Sequence, residues 1–293
     1  MLLLLSSCIK EDLSNCPDGP TMQIMFTYDG TRLDLRGADA GKVKDVSIYV
    51  FDANNAFLSC HTFNVQSSIL DDRFYITLPA NKTYSFVAWT NLNSPFYHTT
   101  PDPATPGWQR SEARLICTTE PIDDLALLFF GEKPNVTVLE VDNDIVYIPL
   151  VENTHEVHLT VNGLDALGPI TVEVKDDNGA YYFDNEFAPS DSVTYKATGD
   201  IDNNMTLEAI ITVLDLDNDR SPLLTVKDKD GNPIPGLEDI DFIDLIKNEV
   251  PGYDFSAERE HHIIISLDAD MTLTVTIEDW NVVPDENIEV TTE

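Results

Sequence analysis

The chain has 293 residues, with 17 lysines and arginines against 52 aspartates and glutamates and a formal net charge of −35. That charge repels nucleic-acid phosphates and anionic lipid surfaces alike, which sets both aside as partners. Hydrophobic residues at 42% and aromatic residues at 9% are enough for packed cores, so general disorder is set aside too, and the length suits two ordinary domains or one large β domain.

The chain opens with MLLLLSSCIKEDLSNCP. Leu2 to Leu5 form an apolar run, Ser6 and Ser7 are small, and Cys8 follows. The order Leu5-Ser6-Ser7-Cys8 resembles the lipobox of bacterial lipoproteins. That resemblance implies a diacylglyceryl group on the Cys8 thiol and cleavage that leaves Cys8 as the acylated first residue. Each buried CH₂ contributes about 0.8 kcal/mol, so one acyl chain holds weakly and two or more hold firmly. The leucine run is shorter than the roughly 7–15 residues of a signal peptide's apolar region and lacks its basic flank, so the expectation is a true start codon upstream, with Met1 an internal methionine. Read without the resemblance, residues 2–5 are a frayed terminus and Cys8 is an ordinary thiol. Ile9-Lys10-Glu11-Asp12 reads either as a solvated tether or as the acidic signal that sends some Bacteroides-type lipoproteins to the outer face of the outer membrane. With Cys8 acylated, Cys16, Cys60 and Cys117 remain, so at most one disulfide forms, and its pairing is open. No CxxC spacing offers a structural zinc site.

From residue 22 the chain reads as strands. Residues 22–28 (MQIMFTY) alternate and end at Asp29-Gly30. Residues 46–51 (VSIYVF) and 57–65 form a hairpin through Asp52-Ala53-Asn54-Asn55, and 74–78 and 84–90 (YSFVAWT) add two strands. Residues 91–124 carry Pro95, Pro101, Pro103, Pro106 and Pro121, which predicts a long excursion with short ordered pieces such as 113–117. Strands return at 125–130, 136–141 and 145–150. The second half brings strands at 155–161 (HEVHLTV), 170–175, 192–197, 207–214 and 223–227. Asp177-Asn178-Gly179 predicts a type I′ hairpin into Tyr181-Tyr182-Phe183. Residues 240–250 (IDFIDLIKNEV) have helical periodicity and stop at Pro251-Gly252. Residues 262–267 and 271–277 form a last hairpin, and Trp280 caps the edge. Every other apolar run is strand-sized, too short for a membrane span. Short alternating strands separated by turn signals argue for β-sandwiches.

Candidate chemistry is sparse. Asp215-Leu216-Asp217-Asn218-Asp219 begins like a calcium loop, but Arg220 and Val226 stand where an EF-hand needs its glycine and its bidentate glutamate. A looser calcium site and a solvated acidic turn are left as readings. Within one strand, His155 and His158 point to opposite faces, as do His261 and His262, so neither pair can share a metal. No nucleophile elbow, zinc-protease helix or phosphate loop occurs, so no catalytic residue and no metal is expected. Among Trp89, Trp108 and Trp280, Trp108 is the candidate for stacking on a sugar ring, because it sits in the proline-rich excursion beside Gln109 and Arg110.

Several of these stretches together carry a wider resemblance. The Cys8 lipobox, Glu11-Asp12-Leu13-Ser14-Asn15-Cys16-Pro17, the MQIMFTY strand, 46–58 (VSIYVFDANNAFL), 84–91 (YSFVAWTN), 128–131 (LFFG) and 274–283 (TVTIEDWNVV) resemble the FimB/Mfa-type fimbrial anchor family. The resemblance implies an all-β fold of two tandem transthyretin-like β-sandwich domains, with one short helix in the second. It partitions the chain into a signal and tether (1–19), an N-terminal sandwich (20–150), a C-terminal sandwich (151–283) and a tail (284–293). It implies a protein lipid-anchored in the outer membrane through Cys8 that holds the base of a fimbria, limits its length and binds pilin subunits by strand addition. The family brings no cofactor beyond the covalent lipid, and no catalytic residues. The alternative is a glycan-binding surface lipoprotein, with Trp108 as the stacking residue.

Overall fold

The computed structural model describes residues 19–28, 31–32, 43–65, 73–141, 144–164, 169–202, 205–249, 252–256, 258–267 and 273–277. Cys8, Cys16, Trp280 and the tail lie outside them. In chain order the elements are β1 (Thr21–Tyr28), β2 (Thr31–Arg32), β3 (Asp45–Asp52), β4 (Phe57–Asn64), β5 (Phe74–Thr77), β6 (Thr83–Thr90), β7 (Tyr97–Thr100), β8 (Arg114–Cys117), β9 (Ile122–Asp123), β10 (Phe129–Thr137) and β11 (Ile145–Glu152). They continue with β12 (Thr154–Asn162), β13 (Pro169–Asp176), β14 (Ala180–Tyr182), β15 (Val193–Asp200), β16 (Thr206–Leu214), β17 (Leu223–Lys227), β18 (Ile240–Asp241), α1 (Phe242–Glu249), β19 (Glu260–Leu267) and β20 (Leu273–Ile277). Among the described residues the chain is all-β with one short α-helix and a 3-10 turn at Arg110–Glu112.

The first sandwich is built by a strand that serves two layers. β11 pairs in parallel with β1 over Ile145 to Pro149, and then antiparallel with β10 over Leu150 to Glu152. One layer is thus β1 with β11, β2 and β5; the other runs β11-β10-β6-β3-β4. Between them lie Met22, Ile24 and Phe26 of β1, Val46, Ile48 and Val50 of β3, and Phe86 and Ala88 of β6. Gly131 marks the crossing: a Cβ there would come within 2.6 Å of the Leu150 side chain and 2.9 Å of the Pro149 carbonyl. The second sandwich packs β16-β12-β19-β20 against β18-β17-β13-β15-β9.

The halves share strands and a core. The proline-rich excursion sends β7 and β8 into a small sheet with β14, and β9 pairs in parallel with β15. The face of β3 and β6 turned away from the first core presents Tyr49, Phe51, Val87 and Trp89. These join Leu115 of β8, Tyr181 and Phe183 near β14, and the interior of the second sandwich from Val157 to Ile265 in one continuous apolar cluster.

Local chemistry explains the turns. In the predicted β3–β4 hairpin, the Asp52 carboxylate accepts hydrogen bonds from the Asn54 and Ala56 amides at 2.8 and 2.9 Å, and Asn55 takes φ 61°. The stretches 125–130 and 136–141, expected as two strands, resolve into the single strand β10. Its register shifts between Lys133 and Val136, where Pro134 lacks an amide proton and Asn135 takes φ 57°. Leu125 and Leu128 are apolar because they enter the shared core outside any strand.

The hairpin expected at Asp177-Asn178-Gly179 is corrected. β14 pairs with β8, while β13 pairs with β15 and β17. Asn178 is fully buried and serves as a tie: its amide donates to the Leu214 and Asp215 carbonyls, and Tyr195 donates to its side-chain oxygen at 2.6 Å.

Candidate functional site

A fold made of open sheets exposes edges, and edges with apolar flanks invite other chains. Among the described residues, five of the nine exposed large hydrophobic side chains fall between positions 139 and 151: Leu139, Val141, Ile145, Tyr147 and Val151. Tyr147 is 47% exposed and Val141 59%. Alternation along β11 sends Val146, Ile148 and Leu150 inward and leaves Ile145, Tyr147 and Val151 facing out. Tyr75 of β5, also exposed, sits in the same cross-strand row as Ile145, with Gln23 of β1 between them.

The backbone at this place is open as well. From Ile145 to Pro149, β11 pairs with β1 on one edge, and no strand among the described residues pairs with the other. The neighbouring edge of β10 is guarded by Glu132, Lys133, Pro134 and the register shift. β11 carries no charge before Glu152. Charge, proline and bulges discourage strand addition; β11 has its own proline at Pro149, so its receptive stretch is the uncharged, proline-free run from Ile145 to Ile148.

Trp108 does not offer a stacking plane. It is 4% exposed, and one face lies flat on Phe57, with ring centroids 4.1 Å apart and planes at 11°. Phe51 and Phe183 meet it edge-on. The backbone locks it too: the Phe57 amide donates to the Trp108 carbonyl and the Arg110 amide to that of Asn55. Arg110 donates to Glu132 at 2.6 Å and to the Phe183 carbonyl, so it pins the excursion rather than facing a ligand. The reason is tertiary: most of the excursion is exposed, as its prolines suggest, but Trp108, Ala113, Leu115 and Cys117 turn into the shared core. Cys60 and Cys117 are both free, so they do not pair with each other. Burial pushes the Cys117 thiol up to about 12.

The histidines form a site that the single-strand argument missed. His155 and His158 do point to opposite faces, as do His261 and His262. Parallel pairing of β12 with β19, however, sets His158 beside His262 and Val157 beside His261, which brings His155 to His261 on the inner face. The signal was in the sequence as two histidine-bearing strands; the register between them was not.

On the inner face a buried chain of hydrogen bonds results. With the Asp215 carboxylate as the acceptor at its end, the chain reads one way: Tyr253 O–H to His261 Nδ1 at 2.7 Å, His261 Nε2–H to His155 Nδ1 at 2.7 Å, and His155 Nε2–H to Asp215 at 2.7 Å, with Arg259 Nη1 also 2.5 Å from His155 Nε2. In this arrangement both imidazoles are neutral and every ring nitrogen has a partner. Arg259 lies against the same carboxylate. Burial lowers both histidines: His261 goes down to about 3, helped by His155 and the Arg259 charge, while Asp215 partly opposes the shift in His155. Burial alone would raise Asp215, but the His155 hydrogen bond and Arg259 outweigh it and hold the carboxyl below its usual range.

Asp215 therefore faces inward, while Asp217 caps the Asp219 amide at 2.9 Å. The acidic run is a closed turn whose carboxylates do different jobs, not a convergent calcium site. On the outer face, His158, Glu260 and His262 are the one group among the described residues placed to hold a metal ion.

The pattern of the family described as fimbrillin-A associated anchor proteins Mfa1 and Mfa2 matches residues 13–286. No curated protein matches the chain. Solved structures share its fold. A Bacteroides thetaiotaomicron protein provisionally named for polysaccharide binding superposes with a TM-score of 0.71 at 21% identity, covering 89% of this chain and 96% of its own. The fimbrial anchor protein Mfa2 from Porphyromonas gingivalis superposes with a TM-score of 0.64 at 18% identity, covering 89% and 98%. A protein from Bacteroides thetaiotaomicron provisionally named an adhesin gives 0.65 at 20% identity, covering 92% and 98%.

Proposed function

Since the chain belongs to the family of fimbrillin-A associated anchor proteins Mfa1 and Mfa2, we propose that it is a lipid-anchored subunit of the outer membrane that holds a fimbria at the cell surface and takes part in its assembly. The observation that carries this reading is the family match over residues 13–286. The name of the Porphyromonas gingivalis relative, a fimbrial anchor protein, agrees with it.

In this reading Cys8 bears the acyl chains, and two or more chains give the firm anchoring that one cannot. The fimbrial subunit adds a strand along the open edge of β11 from Ile145 to Ile148. Main-chain hydrogen bonds supply affinity there, and the exposed Ile145, Tyr147 and neighbouring apolar side chains supply the matching surface. Glycan binding at Trp108 loses its support, because that ring is buried.

The test compares wild-type cells with Cys8→Ala cells, measuring fimbrial protein bound to cells and shed into the medium. Fimbriae that are made but released support the anchor role. An unchanged distribution, with lipid labelling lost, would overturn it.

A further inference from the structure

On the outward face of the β12–β19 pair, the parallel register builds a two-by-two grid. Glu156 stands opposite Glu260, and His158 opposite His262. Residues two apart share a face of a strand, so all four side chains rise from the same patch of sheet. The His158 and His262 rings stack, with centroids 4.4 Å apart and planes at 24°. Their Nε2 atoms converge on one oxygen of Glu260, at 3.2 Å from His158 and 3.1 Å from His262. Glu156 reaches His158 Nε2 at 2.9 Å.

We propose that His158, His262 and Glu260 bind one divalent transition-metal ion, with zinc as the best-suited ion and Glu156 beside it as a further oxygen donor. Three observations carry this. The three ligand atoms lie within 4.8 Å of one another. Zinc held at about 2.0–2.1 Å by nitrogen and carboxylate oxygen has ligand-to-ligand edges of roughly 3.3 Å, close to the 3.2 and 3.1 Å between these nitrogens and the Glu260 oxygen. And two carboxylates directly opposite on neighbouring strands repel each other, a cost that a cation between the strands relieves. Imidazole nitrogen selects zinc, copper or nickel over magnesium and calcium, which prefer all-oxygen sites. The site faces solvent, so the ion's remaining positions are open to water or to a side chain of a neighbouring protein.

The experiment is calorimetric titration of the full chain, carrying no histidine tag, with zinc chloride in the presence of excess magnesium. The expected result is one zinc per chain, with affinity at least tenfold weaker in the His158→Ala/His262→Ala double variant. Binding displaced by magnesium would mark it as a general effect of the acidic surface and overturn the site. No stoichiometric binding, or binding unchanged in the double variant, would do the same. Should the double variant fail to fold, Glu260→Gln, which keeps size and shape, is the second probe, with at least a tenfold loss expected and no loss overturning the proposal.

Discussion

Trp108 shows how a single side chain can change meaning between sequence and structure. Its neighbours in the chain are prolines and polar residues, whereas its neighbours in space are Phe51, Phe57 and Phe183, contributed by β3, β4 and the segment after β14. No local pattern reports such a contact. Trp108→Ala is expected to destabilise the fold by about 3–5 kcal/mol, as for other large aromatic truncations in cores, read from the urea midpoint. A loss below about 1 kcal/mol would mean that the ring is not a core residue.

The histidines give the second prediction at this scale. His155 and His261 are buried and neutral, among Asp215, Arg259, Tyr253 and the outward-facing His262. The unfolded chain protonates them near 6.5 while the fold resists, so between roughly pH 6.5 and 3 the unfolded state holds more protons. Stability present above pH 6.5 is thus lost as pH falls through this window, by an amount on the order of a few kcal/mol. Urea midpoints for wild type and His261→Asn should converge as the pH drops. Parallel pH profiles for the two proteins would refute the assignment.

Individual elements were the most legible part of the chain, because alternation survives in the sequence wherever a strand has one face in a core. β1, β3, β4, β6, β12, β16 and the helix α1 fall where the periodicity places them. Pairing was legible only for neighbours in sequence: the β3–β4 hairpin was, whereas β14 beside β8 was not. The partner of Asp177-Asn178-Gly179 was read as local when it comes from the excursion. The histidine sites failed for the same reason, since His155 and His261 are 106 positions apart. Edges likewise follow from pairing, so the open edge of β11 emerged only with the sheets. Lysines at Ile145 and Tyr147, both already exposed, are expected to leave thermal stability within a few degrees while cutting capture of the fimbrial subunit at least tenfold. Undiminished capture would overturn the proposed strand addition at β11.

For the whole molecule, the fold class was legible and the coupling of its halves was not. A two-domain reading suggests two units that melt separately. Instead the outward face of β3 and β6, the excursion and the second sandwich share one apolar cluster, and β8 and β9 pair across the division at 150/151. The expected outcome in calorimetry is one cooperative transition whose calorimetric and van't Hoff enthalpies agree. Leu115→Ala, within that shared cluster, should lower the single midpoint without splitting it. Two resolved transitions in the wild type would show that the cluster does not couple the halves.

The parallel pairing of β1 with β11 also decides how the molecule takes tension. A pull applied ahead of Thr21 runs along the axis of β1, and the bonds to β11 and β5 lie across that axis. They are loaded in shear, so the strand slips only when the rungs break together instead of peeling one after another. Strain entering at the N-terminal side therefore passes straight to β11, whose far edge no described strand covers, without crossing the second sandwich.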